Sequence, residues 1–296
     1  MSIYRFHFYA MDFPIDSYPI GVRKTFLLWV TAIIFGFGFG SKSILSQEIL
    51  VDNAFEEQTT ALRLDHFFLW VKDPDAIVKR LESIGFTAIP DSLSTIHQGQ
   101  GTAGRYFYFL NAYFEFLFVH DREALIANDE EYGFLETQKR VDYENTNASA
   151  FGVGLQMENY DPSRIPFGAT RFYQTYLPDD SYLYFATSSD QLINEPLTFV
   201  VCPELQNIVK DSNDLARMSE QMRGFYEHDN KAKRVSKITI TLAHKGPLSK
   251  AMDEVNKMQN VEIVKGKEQL LEIYFDNGTQ GKFHDLRPQI PVLIYL

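Results

Sequence analysis

The chain holds a single cysteine, Cys202, among 296 residues, so no disulfide can form within it and no cysteine-based metal cluster can be built. Positive charge is also scarce. Twenty-eight Lys and Arg stand against 39 Asp and Glu, a formal charge of −11, which removes the bulk attraction that nucleic acid or an anionic lipid surface would need. Nucleic acid is therefore excluded as an expected partner. The sequence has no G-x-S-x-G, no H-E-x-x-H and no lysine-bearing phosphate loop, so it carries none of the usual hydrolase, zinc-protease or P-loop handles. What it has in quantity is aromatic and apolar: 25 Phe and 16 Tyr, enough to build a sizeable globular core.

The longest apolar run, residues 25–40, falls short of the roughly 20 residues that cross a membrane. It follows Arg23 and Lys24 and precedes the polar Ser41, Lys42 and Ser43, with the small Ser46 placed for cleavage, which is the layout of an export signal. Gly36, Gly38 and Gly40 would each cost a buried helix about 1 kcal/mol relative to Ala. We therefore expect residues 1–46 to be a signal peptide or, if uncleaved, a membrane anchor, and residues 47–61 a linker. The expected location is secreted or periplasmic, and a membrane is a partner only through an uncleaved segment.

From residue 62 the pattern changes. Residues 64–71, LDHFFLWV, have strand length and composition. Asp73 then stands as a helix N-cap with Pro74 at the first helical position, Ile77, Leu81 and Ile84 recur at helical spacing, and Gly85 stops the helix. A short strand at 86–89, a glycine-rich loop at 92–104, and strands at 105–110 and 112–119 complete a βαβββ order. The same order recurs near the end, in strands at 237–242, 261–264, 270–275 and 292–296 with helical spacing at Leu248, Met252 and Val255. The expected fold class is α+β, with paired βαβββ modules whose curved mixed sheets enclose a pocket. Module one spans 62–120, an elaboration 121–233, and module two 234–296.

His66 in "LDH", the loop HQGQGTAGR at 97–105 and Glu115 in "YFEFL" occur in an order that resembles the glyoxalase-like branch of the vicinal-oxygen-chelate superfamily, loosely from residue 62 to the end. The resemblance implies a pocket for a small organic ligand and, in many members, a divalent metal held by His and Glu from the first and last strands of each module. Here that makes His66, Glu115 and His97 the candidate ligands, and Fe, Mn, Zn or Ni the candidate ions. Family reactions include isomerisation, ring-cleaving dioxygenation, epoxide opening and plain sequestration, so the fold does not select the chemistry.

Alternation puts Leu64, His66, Phe68 and Trp70 together on the first strand and Tyr113, Glu115, Leu117 and Val119 together on the last, so His66 and Glu115 are expected to share a concavity as the candidate catalytic pair. A carboxylate among Phe114, Phe116 and Phe118 needs a partner. Three readings stay open: a His/Glu metal site, an ion pair from Glu115 to Arg105, and a general base of raised pKa. Against metal, the second copy has Lys237 near the place of His66 and no acid in its last strand, leaving Glu272 as a substitute. The run from Gly99 to Gly104 spells G-x-G-x-x-G, but a strand follows where a dinucleotide site needs a helix. It is either a connecting loop or a ligand wall, in which His97, Gln98, Gly99, Gly101, Thr102, Arg105 and Tyr113 would line the site. The expected function is a lyase, isomerase or dioxygenase, or else a silent binding module, and a homodimer stays open.

Overall fold

Asp73 accepts a hydrogen bond from the Ala76 amide, Pro74 needs none, and Ile77 and Leu81 turn inward, so the first helix begins and buries its face where the sequence places it. In the computed structural model, which describes residues 62–296 except Ile208, this helix α1 (Pro74–Glu82) follows β1 (Leu62–Trp70). Next come β2 (Ile96–His97), β3 (Thr102–Phe109) and β4 (Ala112–Val119). The expected signal segment and linker lie outside the described residues. Residues 86–89 form no strand, because only the Ile89 amide finds the sheet, on the Tyr106 carbonyl. The edge position is taken instead by β2.

Helices α2 (Arg122–Glu131), α3 (Thr137–Val141) and α4 (Tyr143–Thr146) lead to β5 (Phe151–Met157), β6 (Ala169–Phe172), β7 (Leu183–Ala186) and β8 (Leu197–Val200). These strands complete a curled eight-stranded sheet of order β2-β3-β4-β1-β5-β8-β7-β6. In each half the first strand runs parallel to the fourth, β1 to β4 and β5 to β8, and the two first strands meet antiparallel. The second half carries only a 3-10 turn, Pro162–Arg164, where the first half carries α1.

The half that abuts module one is thus residues 151–200, inside the stretch read from sequence as an elaboration. The carboxyl-terminal elements follow the short helices α5 (Ser212–Ala216) and α6 (Glu220–Gly224). They are β9 (Val235–Leu242), α7 (Lys250–Val255), β10 (Val261–Lys265), β11 (Leu270–Phe275), β12 (Phe283–Asp285) and β13 (Val292–Tyr295). All four strands expected there form, but in a separate sheet of order β10-β9-β11-β13-β12. The short crossover through α7 drops β10 directly beside β9, whereas in the large sheet the first strand pairs with the fourth. Periodicity reports that a strand exists and is silent about its neighbour.

One continuous core joins the two sheets. Phe67, Phe107, Phe114, Phe116, Phe151 and Val153 of the large sheet cluster with Ile238, Ile240, Ile273 and Ile294 of the small one. Among the described residues no helix is long and apolar enough to cross a membrane. The opposite face of the large sheet carries the polar cluster described next.

Candidate functional site

The pairing of β1 with β5 slips by one residue between Leu64 and His66. This bulge corrects the simple alternation: Leu64 packs into the main core beside Phe67 and Leu69, while Asp65 and His66 both reach the other face. Asp65 is fully buried and accepts three hydrogen bonds: from His66 Nδ1 at 2.6 Å, the Gln156 amide side chain at 2.5 Å and the Asn207 backbone at 2.7 Å. The His66 ring lies on the α-carbon of Gly154, where a Cβ would come within 2.3 Å of it. On its other side it stacks with Tyr113, centroids 4.4 Å apart and planes 10° off parallel.

Glu115 faces the same side, paired with Tyr106 across β3 and with Phe68 across β1. It is buried, and its Oε1 makes no hydrogen bond among the described residues. Burial pushes its carboxyl up from 4.5 to about 7, opposed by the nearby His66 and the Tyr106 hydroxyl. His97 approaches with Nε2 3.8 Å from Glu115 Oε1, and its own contacts are Thr102 Oγ1 at 2.9 Å through Nδ1 and the Tyr106 hydroxyl at 3.3 Å through Nε2. Burial, with a smaller push from His66, lowers His97 to about 4, so it is neutral at pH 7. Gly104 leaves the room that Tyr106 and Glu115 occupy, since a Cβ there would lie 2.3 Å from the tyrosine hydroxyl and 2.5 Å from Glu115 Oε1. Tyr226 stacks over Tyr108 from the 203–228 segment, which His228 ties down by accepting from the Thr87 amide and donating to the Tyr108 carbonyl, each at 3.0 Å.

His66, Glu115, His97, Thr102 and Tyr113 are therefore brought together. Arg105 is not. As the neighbour of Tyr106 on β3 it points to the opposite face, where it pairs with Asp91 at 2.9 Å and Asp75 at 3.6 Å and lies 4.9 Å over the Phe118 ring. This removes the Glu115–Arg105 ion pair. The glycine loop is also something other than a ligand wall. Gly101 has φ +77° and a Cβ would meet the Leu125 amide at 2.2 Å, while a Cβ on Gly99 would meet Gln174 Oε1 at 2.2 Å. Both glycines let protein pack on the loop. Gln98 is exposed, its carbonyl accepting from Thr175 Oγ1. Cys202 is buried, its thiol pushed up to about 11 chiefly by that burial, and is inert.

The resemblance implied a metal held by His66, Glu115 and His97. The residue set does not fit one. Among the described residues no three His, Cys, Asp or Glu converge as ligands. The second half offers Gly152, Gly154, Leu197 and Phe199 to this face where a paired site needs donors, and Glu272 lies in the other sheet, accepting from the Tyr295 and Tyr274 hydroxyls. Asp65, Tyr106, Gln156 and Asn207 escaped sequence reasoning. Only Asp65 left a signal, its adjacency to His66, which alternation placed on the wrong face.

Among solved structures, a hypothetical protein from Staphylococcus aureus is 12% identical, with 79% of this chain and 98% of that one covered and a TM-score of 0.49. Methylmalonyl-CoA epimerase from Mycobacterium tuberculosis is 17% identical, with 48% and 90% covered and a TM-score of 0.31. No curated protein matches the chain. The glyoxalase-like domain family, by contrast, matches residues 64–255, which take in all eight strands of the large sheet but the first two residues of β1, and then β9 and α7. The chain belongs to the glyoxalase-like domain family.

Proposed function

We propose that the protein binds a small organic molecule against the tyrosine-lined face of the first module and exchanges a proton with it through Glu115, in an isomerase or lyase type of step. The observation that carries this reading is the buried Glu115 Oε1, without a hydrogen bond among the described residues, in a carboxyl raised to about 7. A group that is about half ionised at neutral pH can accept a proton from carbon and return it. Tyr106, whose phenol is pushed well up by burial and by Glu115, remains a donor at that pH and can hold a developing oxyanion.

The test is deuterium incorporation from D2O, followed by proton NMR, into acetoin, dihydroxyacetone and 2-oxobutyrate, which carry exchangeable hydrogens beside a carbonyl. Exchange above buffer with the wild type, lost in Glu115→Gln, is the expected result. Thermal stabilisation by these compounds with no exchange would overturn the catalytic part in favour of a sequestering module. That alternative is favoured by the apolar second half of the face, where Phe185, Leu197 and Phe199 pack together and against Phe68 of β1.

The reading includes export, supported by the basic flank and apolar run at 23–40. Amino-terminal sequencing of the protein from its native host should find a start near Gln47. An intact Met1 or Met11 terminus in a soluble cytoplasmic fraction would refute export.

A further inference from the structure

The bulge at Leu64/His66 does something a regular strand cannot: it lets two consecutive residues share a face, so that Asp65 hydrogen-bonds the ring of its own neighbour. The two oxygens of Asp65 are used differently. Oδ2 accepts twice, from Gln156 Nε2 and the Asn207 amide, both of which can only donate. Oδ1 faces His66 Nδ1 at 2.6 Å. A carboxylate so placed requires a proton on Nδ1, and a neutral imidazole then carries a lone pair on Nε2. Nε2 makes no hydrogen bond to the protein among the described residues, and the ring cannot turn freely because Gly154 lies beneath it and Tyr113 above.

We propose that Asp65 is a positioning residue that fixes His66 in the Nδ1–H tautomer and so makes its Nε2 a second proton acceptor on the face that Glu115 occupies. The proposal deepens the reading of this site as one of proton transfer and rests on that reading for its role in turnover. A ligand could then lose a proton to one of the two groups and regain one from the other, at two points of the same face, with no net change in the protein after a full cycle. Gly154 belongs to the same device, since any side chain there would displace the ring.

Asp65→Asn tests this with no change in shape. The two donors at Oδ2 select the amide oxygen for that place, which turns the amide N–H2 toward His66 Nδ1. Nδ1 must then accept, and the proton moves to Nε2. The measurement is long-range proton–nitrogen correlation NMR of protein labelled with nitrogen-15 in histidine, with the His66 signals assigned by their loss in His66→Gln. At a pH high enough to leave the imidazole neutral, we expect a protonated Nδ1 and bare Nε2 in the wild type, and the reverse in Asp65→Asn. Wild type with its proton on Nε2, or a variant with an unchanged tautomer, would overturn the proposal. Should Asp65→Asn fail to fold, Gly154→Ala replaces it, and a His66 tautomer that stays as in the wild type despite the displaced ring would count against the clamp. The tautomer is read without any substrate, so its failure is distinct from failure of the proton-transfer reading, which the D2O exchange assay reports. Where both hold, Asp65→Asn should lower exchange at least tenfold while Asp65→Glu, which restores a carboxylate, recovers part of it.

Discussion

Glu115→Gln should stabilise the protein at pH 8 by up to about 3 kcal/mol and leave it unchanged near pH 4, because 2.5 pH units at about 1.4 kcal/mol each separate the folded and unfolded carboxyl. The sign follows from proton counts. The carboxyl ionises near 4.5 when unfolded and near 7 when folded, so between these values the folded state binds the extra proton and stability falls as pH rises. Its contribution is fully present below about 4.5 and lost above about 7. Gln keeps the shape without the charge, and its amide can donate toward the neutral His97 Nε2 that now stands 3.8 Å from Oε1. His97 and His228, each lowered from 6.5 to about 4 chiefly by burial, act in the opposite sense, their contribution being present above 6.5 and lost as pH falls through 4. They are common to both proteins, so the difference between wild type and variant isolates Glu115. Urea unfolding of both at pH 4, 6 and 8 measures it. A variant less stable than wild type at pH 8 would mean that the carboxylate has a cationic partner, and the poised-base reading would fall.

That prediction has the opposite sign to the one an ion pair with Arg105 would give, and the contrast shows where the sequence is legible. Asp73, Pro74, Ile77, Leu81 and Gly85 spell α1 because caps and helical spacing are local rules. His66 and Glu115 could be put on one face because both sit where alternation holds. Asp65 could not, since a bulge depends on how β5 registers against β1, and β5 lies 80 residues and more downstream. Arg105 was misplaced for a related reason: it is one residue from Tyr106, and a one-residue step in a strand changes the face. The second half-sheet was hidden because its helix has shrunk to a single 3-10 turn, which erases the helical spacing that marks a βαβββ unit. The carboxyl-terminal strands preserved that spacing while pairing otherwise. Gly99 and Gly101 spell a fingerprint of phosphate binding, yet what comes close to their backbones is Gln174 and the first turn of α2.

The second large effect is expected at Arg140, a side chain on α3 with no solvent exposure. Its guanidinium donates to four backbone carbonyls: Leu135 through Nε at 3.0 Å, Ile193 and Glu195 through one terminal nitrogen at 3.2 and 2.8 Å, and Ser189 through the other at 2.8 Å. Burial lowers its pKa only to about 10, so it is charged at neutral pH and its desolvation is offset by these bonds. Its direct partners are carbonyl oxygens, three of them in the 189–195 turn, with Glu136, Glu195 and Asp129 adding favourable charge from farther off. That turn matters beyond itself. Ile193 also accepts from the Ser149 amide just before β5, and Glu195 Oε1 accepts from the Ser249 amide at the start of α7, so one guanidinium orders the junction between the two sheets. Arg140→Met keeps much of the volume but strands three buried acceptors, the carbonyls of Leu135, Ser189 and Glu195, while Ile193 keeps the Ser149 amide, and we expect a loss of about 4 kcal/mol, in the range for breaking a buried charged hydrogen-bond set. Arg140→Lys should lose about half of that, because one ammonium on a flexible stem cannot span carbonyls on three sides. Urea unfolding gives the magnitudes, and amide hydrogen exchange gives the place. The amides of Ser149, Leu192 and Glu195 should lose protection first, ahead of those in β1 and β4. A Met variant within about 1 kcal/mol of wild type, as for an ordinary surface change, would show that the turn holds its shape by its own Ser188–Leu192 and Leu192–Glu195 hydrogen bonds, and that Arg140 follows the turn instead of setting it.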